Sequence, residues 1–487
     1  MAKWLLLAVV VVMLCVNDDN LAMATPLDDY VNRPDPVYNY SLINQYRGPG
    51  YTVYNINMTS QKWKSEDTVD HPIWWHYLTI TVPDVIKYKE GVLFIDGGRN
   101  TDGPPPETDN FVALTSVLSA STGAVTANLK QIPNQPLVFK ADPSQQKRTE
   151  DAVVAWTWKT FIDNVTDPEI LIFLPMTKAA VRAMDTMTDF VKKLNGGVVD
   201  RFIVSGASKR GWTTWTTGAV DKRVIGIAPI VMDLLNMVKN LHHHFRAYGG
   251  WTFAFKDYFA LNFTSQLDNP NTQRMADIID PLSYNSRLTM PKLVISTGGD
   301  EFFLPDDSHY YFRNLTPPTY LRILPNAEHS CAGHEIGLLF DLRAFFLMVT
   351  EGVPLPKVSW TRAITQSGGY IELETDQEPL SIRTYFAETL DDTRRDFRLL
   401  VGSKDDPSKP FPHPVVWHAR ETEQLSKTKF RAQFDNPKKG WLAFFIQMTF
   451  PGATDESVLE ITTENQIIPD TFPFPACHGE NCTGKLV

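Results

Sequence analysis

Three side chains that can work together in nucleophilic catalysis stand at the ends of strand-like segments. Ser208 lies in FIVSGASKRGWTTW, where an apolar run stops at Gly-x-Ser and a helix-like segment begins. Asp300 ends PKLVISTGGD, and His329 ends TYLRILPNAEH. In such a set, histidine takes the proton of the serine hydroxyl, and the acid orients the imidazole and stabilises its cation. The sequence therefore offers a candidate triad for attack on a carbonyl carbon.

The surroundings of Ser208 match half of the nucleophile-elbow motif G-x-S-x-G. Gly206 fills the first glycine position, but Arg210 replaces the second, and the small residue follows one position later as Gly211. The order serine, acid, histidine is that of the α/β-hydrolase triad. Read singly, Ser208 is also a good helix N-cap, Asp300 a turn acid and His329 a loop histidine. Only the chain order of all three favours catalysis.

Two further roles can be assigned around these residues. An oxyanion hole needs the N–H of the residue after the nucleophile, here Lys209, and one from the loop after an earlier strand. Gly98 or Arg99, which follow GVLFIDGG, are the candidates for the second donor. Asp233 ends the strand-like VIGIAPIVMD and is a reserve acid in case Asp300 points away.

The helix that follows Ser208 begins with two cations, Lys209 and Arg210. A positive charge at a helix N-terminus is disfavoured by about 0.3 to 1 kcal/mol, because the macrodipole is positive there. We therefore expect an anionic substrate or a nearby carboxylate, with solvated side chains as the alternative.

The elements that must position these residues alternate between strands and helices. Apolar runs such as HYLTITVP and GVLFIDGG predict strands, and TEDAVVAWTWKTFID and KAAVRAMDTMTDFVKKL carry apolar residues at helical spacing. This alternation predicts a mainly parallel sheet covered by helices, an α/β-hydrolase-like domain over residues 25–356. An aromatic, helix-like insertion at about 234–290 predicts a cap above the carboxyl ends of the strands.

The pattern changes after the Pro-containing linker EGVPLP. Short alternating runs, among them YIELETD, TKFRAQFD and WLAFFIQMTF, predict an antiparallel β-sandwich over residues 357–465, followed by a tail over 466–487. This segment supplies no member of the triad. We therefore expect this segment to carry partner contacts. A chain ending near Pro356 should keep covalent labelling of the active site, if it folds.

The amino terminus predicts export from the cell. Lys3, the apolar run from Trp4 to Val16 and the motif Ala22-Met23-Ala24 indicate a signal peptide over residues 1–24. A membrane anchor is the alternative, but the apolar run is short for a span, so we expect no stable membrane insertion. Glycosylation sequons fit a secreted chain and occur at Asn39, Asn57, Asn164, Asn262, Asn314 and Asn481.

Charge and cysteine content narrow the partners. The net charge of −10 is spread along 487 residues without a basic run, which argues against nucleic acid. Cys477 and Cys482 are close enough in sequence for a disulfide, which would leave Cys331 unpaired, although free thiols remain the alternative. Adjacent histidines at 242–244 face different directions on a helix, so we expect a cap surface and not a metal site, and we expect no cofactor.

Several long segments resemble the PhoPQ-activated pathogenicity-related protein family. They include SGASKRGWTTWTTGAVDKRV, PMTKAAVRAMDT, RLTMPKLVISTGGDEFFLPD and LPNAEHS, and the resemblance runs from residue 25 to about residue 450. It implies a secreted α/β-hydrolase-fold protein with Ser208, Asp300 and His329 at the triad positions. The same family includes a secreted repressor of proliferation in social amoebae.

Two functions follow as expectations. One is a secreted serine hydrolase that acts on an ester, amide or peptide bond of a small molecule or peptide. The other is an autocrine signalling protein that represses proliferation by binding a cell-surface receptor or secreted partner, with catalysis absent or dispensable. The triad favours the first, and the missing glycine at position 210 favours the second.

Overall fold

The computed structural model describes residues 24–487, so the predicted signal peptide lies outside the described residues apart from Ala24. Within this range no helix is long and apolar enough to cross a membrane. The α-helices are α1 Pro26–Asn32, α2 Asn110–Thr122, α3 Asp151–Asp163, α4 Phe173–Asn195, α5 Lys209–Val220, α6 Met237–Tyr248, α7 Lys256–Ala260, α8 Pro270–Ile279 and α9 Glu335–Thr350.

The strands fall into an amino-terminal and a carboxyl-terminal group. The first group is β1 Asn39–Gly48, β2 Tyr51–Lys62, β3 Ile73–Pro83, β4 Glu90–Ile95, β5 Thr126–Leu129, β6 Arg201–Ala207, β7 Val224–Ile230, β8 Lys292–Thr297 and β9 Thr319–Leu324. The second group is β10 Val358–Ile364, β11 Gly368–Thr375, β12 Ser381–Glu388, β13 Leu400–Gly402, β14 Pro410–Pro412, β15 His418–Arg420, β16 Glu423–Gln424, β17 Lys429–Asp435, β18 Leu442–Pro451, β19 Val458–Thr462 and β20 Gln466–Ile468.

The central sheet has the strand order of an α/β-hydrolase. Its first nine strands run β1-β2-β3-β5-β4-β6-β7-β8-β9. The pairs from β5 and β4 to β8 and β9 are parallel, and β1, β2, β3 and β5 pair antiparallel. Strands β4, β5 and β8 are buried along their whole length, as expected for central strands covered on both faces. The predicted fold class is confirmed.

The segment between β7 and β8 contains the predicted cap. Helices α6, α7 and α8 and several short 3-10 turns fill it. Phe255 and Tyr258 of this segment are buried and line the same pocket as Ser208. The cap therefore covers the carboxyl end of β6, where the candidate nucleophile lies.

The carboxyl-terminal strands form two antiparallel layers. A four-stranded sheet, β10-β11-β17-β16, packs through Phe434 against Phe444 of β18, with ring centroids 4.7 Å apart. Strand β18 belongs to the other layer, in which β12, β15, β19 and β20 also lie. The predicted antiparallel β domain is present.

This β domain continues the central sheet. Strand β19 pairs with β9 at Thr462 and Leu321, so that one hydrogen-bonded sheet of 14 strands crosses the expected boundary. The Thr462 hydroxyl also accepts the amide proton of Ile323 at 3.1 Å. The segments before and after residue 357 thus share one sheet. Strand β19 runs antiparallel to β9 and covers the edge of β9 that would otherwise be unpaired.

The β domain also supports the two loops that carry Asp300 and His329. Trp417 donates its indole N–H to the Gly298 carbonyl at 3.1 Å, and its amide donates to the Asn326 side chain at 2.7 Å. The Leu399 amide donates to the Gly299 carbonyl at 2.9 Å. A chain ending near Pro356 lacks both supports, so the prediction that it keeps its active site if it folds requires the two loops to hold their positions without these hydrogen bonds.

We predict that Trp417→Ala lowers the free energy of unfolding by about 3 to 5 kcal/mol, the range for removing a large buried aromatic side chain. Trp417 is 2% exposed. Urea unfolding followed by circular dichroism measures the effect. Phe411→Ala is the control, because Phe411 is 59% exposed and its removal should change stability little. Equal stability of the two variants would contradict the buried support role of Trp417.

Candidate active site

Ser208 lies at a strained turn between β6 and α5. Its backbone has φ 57° and ψ −126°, a region that costs a residue with a side chain of order 1 to 3 kcal/mol. The Ser208 amide donates to the Ile230 carbonyl at 2.8 Å, which ties the turn to the neighbouring strand. The serine N-cap reading does not apply, because the hydroxyl makes no cap hydrogen bond to the helix.

Two glycines allow α5 to approach the sheet closely behind this turn. A Cβ on Gly206 would lie 2.9 Å from the Ile95 carbonyl oxygen, and a Cβ on Gly211 would lie 2.9 Å from that of Ile230. Gly211 thus takes the close-packed place for which the motif normally uses the residue two after the serine. The departure at position 210 leaves the elbow geometry in place.

The Arg210 side chain forms an ion pair with a carboxylate. Its guanidinium forms a two-point ion pair with Glu150, at 2.7 and 2.6 Å, and the Lys209 ammonium lies 3.0 Å from the same carboxylate. Burial alone would raise the pKa of Glu150, but Lys209 and Arg210 hold that pKa well below its usual range. The expected carboxylate beside the two cations is therefore a residue of the chain itself.

The three candidate triad residues form a continuous hydrogen-bonded chain. His329 Nε2 lies 2.8 Å from Ser208 Oγ, and His329 Nδ1 lies 2.9 and 3.0 Å from the Asp300 oxygens. Asp300 in turn accepts the amide protons of Phe302 and Phe303 at 2.7 and 3.1 Å. These donors fix the carboxylate so that it faces the imidazole, and both oxygens are within hydrogen-bonding distance of it.

The surroundings of His329 favour its protonated form. Burial lowers the pKa of the imidazole, but the Asp300 carboxylate outweighs this, and the net result is a pKa above the usual 6.5. The charge of the Glu301 carboxylate also raises the pKa of His329, and this carboxylate accepts the His329 amide proton at 3.1 Å. Burial and the Asp300 charge raise the pKa of Glu301 to about 7.

The reserve acid Asp233 is occupied elsewhere. Its carboxylate accepts a short hydrogen bond from the Tyr311 hydroxyl. Burial raises the pKa of Asp233 to about 6. The structure thus gives His329 one hydrogen-bonded acid partner among these candidates, Asp300.

The candidate oxyanion donors differ in availability. Lys209 begins α5, and the first N–H groups of a helix have no partner within the helix. The Arg99 amide donates to Asp102 at 2.6 Å and is therefore engaged, which leaves Gly98 as the better second donor. Gly97 places this loop beside the elbow, because a Cβ on it would lie 3.0 Å from the Arg210 guanidinium.

A small aromatic pocket contains Ser208. Its walls come from helices α3 and α5, the cap and the loop after β8, and they include Trp158, Trp212, Phe255, Tyr258, Phe302 and Phe303. Lys209 and Asp151 add a polar edge, with Lys209 Nζ 3.2 Å from the Asp151 carboxylate. The pocket combines a reactive hydroxyl with mostly apolar walls.

The remaining predicted residues are not hydrogen-bonded members of the triad. The asparagines of all six sequons are exposed. Cys477 and Cys482 are joined in a disulfide, and Cys331 is a buried free thiol. His243 and His244 are buried and not on the cap surface, whereas His242 pairs with Asp268 at 3.0 Å.

One group of described residues places metal-ligating atoms close together. Atoms of His242, Cys477 and Cys482 lie within 4.8 Å of one another. Because the two sulfurs are bonded to each other, only the imidazole is left as a ligand in this state, and a single imidazole does not make a metal site.

Sequence reasoning missed Glu150 as a site residue. Glu150 lies at the start of the predicted helix TEDAVVAWTWKTFID, where it is the N-cap residue of α3 and makes no side-chain cap hydrogen bond. Its carboxylate instead joins α3 to the elbow through Lys209 and Arg210. The adjacent cations at 209 and 210 were the available signal, since a nearby carboxylate was one of the partners expected for them, but they could not identify it.

Comparison with known proteins gives a family and one long relative. The profile of the PhoPQ-activated pathogenicity-related protein family matches residues 27–398. Autocrine proliferation repressor protein A of Dictyostelium discoideum is 38% identical over 472 residues, which cover 95% of this chain and 94% of that protein.

Among solved structures, two esterases are similar to this chain. Acetyl xylan esterase from Paenibacillus sp. R4 has a TM-score of 0.45 and 15% identity, over 65% of this chain and 91% of its own. Acetyl xylan esterase 1 from Thermoanaerobacterium has a TM-score of 0.44 and 14% identity, over 67% and 94%.

We predict that the pKa of His329 lies above 6.5 and falls below that value in Asp300→Asn, because burial and the Lys209 charge, which both lower it, then prevail. Nuclear magnetic resonance of histidine side chains across a pH series measures both values. Asp233→Asn is the matched control and should leave the pKa above 6.5. A low pKa in the wild type, or equal shifts in both variants, would contradict Asp300 as the partner acid.

Proposed function

The chain belongs to the PhoPQ-activated pathogenicity-related protein family, and we propose that it is a serine hydrolase that cleaves an ester, amide or peptide bond through an acyl-enzyme. The observation that carries this proposal is the chain of hydrogen bonds from Ser208 through His329 to Asp300. Its support is geometric, because the nucleophile, base and orienting acid lie within hydrogen-bonding reach of one another.

In the first step, Ser208 Oγ attacks the substrate carbonyl carbon while His329 Nε2 takes the hydroxyl proton. Asp300 stabilises the imidazolium that forms, and the raised pKa of His329 suits a group that must hold this proton. The Lys209 and Gly98 amides are the proposed donors to the oxyanion. Collapse of the intermediate breaks the scissile bond, and His329 gives its proton to the leaving group.

In the second step, water attacks the acyl-enzyme. His329 takes one proton from the water, the C–O bond to Ser208 breaks, and the proton passes back to Ser208 Oγ. The products are a carboxylic acid and the free enzyme. Every proton transfer in this sequence uses Ser208 and His329, so the proposed reaction needs no cofactor.

Export from the cell is part of the proposal. Ala22-Met23-Ala24 precedes Thr25, and Thr25 caps α1 by accepting the Asp28 amide proton while Asp28 accepts that of Thr25. The exposed sequons and the disulfide between Cys477 and Cys482 also suit an oxidising compartment. These features support a mature chain that starts near Thr25.

We predict that Ser208→Ala abolishes both covalent labelling by a fluorophosphonate probe and hydrolysis of activated esters, because the attacking oxygen is removed. Labelling on a gel and ester turnover measure the result. Ser121→Ala is the control, since Ser121 is exposed and lies on α2, away from the triad. Ester turnover by Ser208→Ala at the wild-type rate would show that Ser208 is not the nucleophile.

A second function is favoured by the relative from Dictyostelium discoideum, whose name describes an autocrine proliferation repressor. We infer that the chain also acts as an extracellular signal that slows proliferation, through a receptor or secreted partner. The coverage of 95% of this chain and 94% of the relative supports this inference, because so long a match cannot leave out the β domain.

We predict that purified Ser208→Ala protein represses proliferation as strongly as the wild type, since a receptor would recognise the surface and the Ser208 hydroxyl is half-buried. Growth curves of cells treated with equal amounts of the two proteins measure this. Loss of repression in a folded Ser208→Ala protein would show that signalling depends on catalysis. No repression by the wild type would refute the signalling function itself.

A further inference from the structure

A second pocket, of about 110 Å³, lies between α2 and α9 on the central sheet. Its floor is formed by β4, β6 and β7 through Val92, Phe94, Ala207 and Ile230. Its sides come from one face of each helix and include Leu114, Thr115, Leu118, Leu338, Leu339 and Leu342.

The walls of this pocket are apolar. Glu335 is the one carboxylate among its lining residues, and Cys331 contributes a thiol whose pKa burial raises well above its ordinary value. The described lining contains no lysine, arginine or histidine that could pair with a charged ligand. Such a surface binds a neutral, apolar group by the hydrophobic effect.

The pocket lies on the face of the central sheet opposite α5, near the strand ends that carry the proposed catalytic site. Ala207 directly precedes Ser208, and the Ile230 carbonyl accepts the Ser208 amide proton at 2.8 Å. Ser330 and Cys331 directly follow His329 and form part of the same wall. The nucleophile and the base are therefore direct sequence neighbours of residues in the pocket wall, while Ser208 itself lines the aromatic pocket.

Phe111 connects the pocket with the proposed oxyanion loop. It lines the apolar pocket and also a polar groove that contains Gly97, Gly98 and Lys130. The Phe111 ring stacks on Phe94 with centroids 5.2 Å apart, and the Lys130 ammonium lies 5.7 Å from its centre. An apolar surface thus borders the place where the substrate carbonyl would sit.

We infer that this pocket binds the acyl chain of the substrate, so that the preferred substrates are esters of medium-length aliphatic acids. This inference rests on the proposed hydrolase function and adds the substrate class. The acyl chain of the substrate would lie between α2 and α9. The ester carbonyl would lie at Ser208, and the leaving group would lie on the side of the cap. Each methylene that enters the pocket should raise kcat/KM by about fourfold.

Leu338→Trp and Leu114→Trp test this assignment, because both leucines are half-buried on the pocket walls and outside the triad. Turnover is measured with nitrophenyl acetate, butyrate, octanoate and decanoate. In the wild type kcat/KM should rise with chain length to octanoate, and in the filled variants the ratio of kcat/KM for octanoate to kcat/KM for acetate should fall at least tenfold. Leu380→Trp is the control, because Leu380 is 61% exposed.

A binding measurement separates this inference from the proposed function. The neutral dye N-phenylnaphthylamine should fluoresce with Ser208→Ala protein, should be displaced by decanol, and should bind more weakly to both filled variants. If the wild-type protein binds the dye but hydrolyses none of the esters, the proposed hydrolase function is refuted and the pocket is an apolar binding site only. Ester turnover with a flat chain-length profile and no displaceable dye would overturn the acyl-chain assignment and keep the hydrolase.

Discussion

The strained backbone of Ser208 is the constraint on which the rest of the site depends. A side-chain-bearing residue at φ 57° is held there by the Ile230 carbonyl, and Gly206 and Gly211 let the strand and helix close around it. The Glu150 carboxylate pairs with both cations that follow the serine, so that charges disfavoured by the helix dipole become links to α3. Of order 1 to 3 kcal/mol of strain is stored where the hydroxyl must face His329.

The β domain takes part in the same arrangement from the other side. The loops after β8 and β9 carry Asp300 and His329, and Trp417 hydrogen-bonds to both of them, at Gly298 and at Asn326. The pairing of β19 with β9 extends the sheet that carries these loops. Nucleophile, base and acid are therefore positioned by three separate parts of the chain: α3, the central sheet and the carboxyl-terminal strands.

The local patterns of the sequence predicted much of this structure. Alternating strands and helices gave the α/β fold, and the chain order of Ser208, Asp300 and His329 identified residues that the fold brings into contact. Contacts between residues far apart in sequence could not be predicted. No local pattern indicates that Glu150 pairs with Arg210 or that Trp417 hydrogen-bonds to Gly298. Burial misled at His243 and His244, since a run of histidines gives no helical periodicity from which to predict the buried face. Arg99 was a reasonable oxyanion donor until its amide was seen to bond Asp102.

The central claim is that Ser208 is an activated nucleophile. The most direct measurement is peptide mapping by mass spectrometry of wild-type protein treated with a fluorophosphonate. The structure predicts a single stoichiometric adduct on the peptide that contains Ser208, formed faster as the pH rises through the pKa of His329. Absence of an adduct, or its attachment to another residue, would contradict the claim.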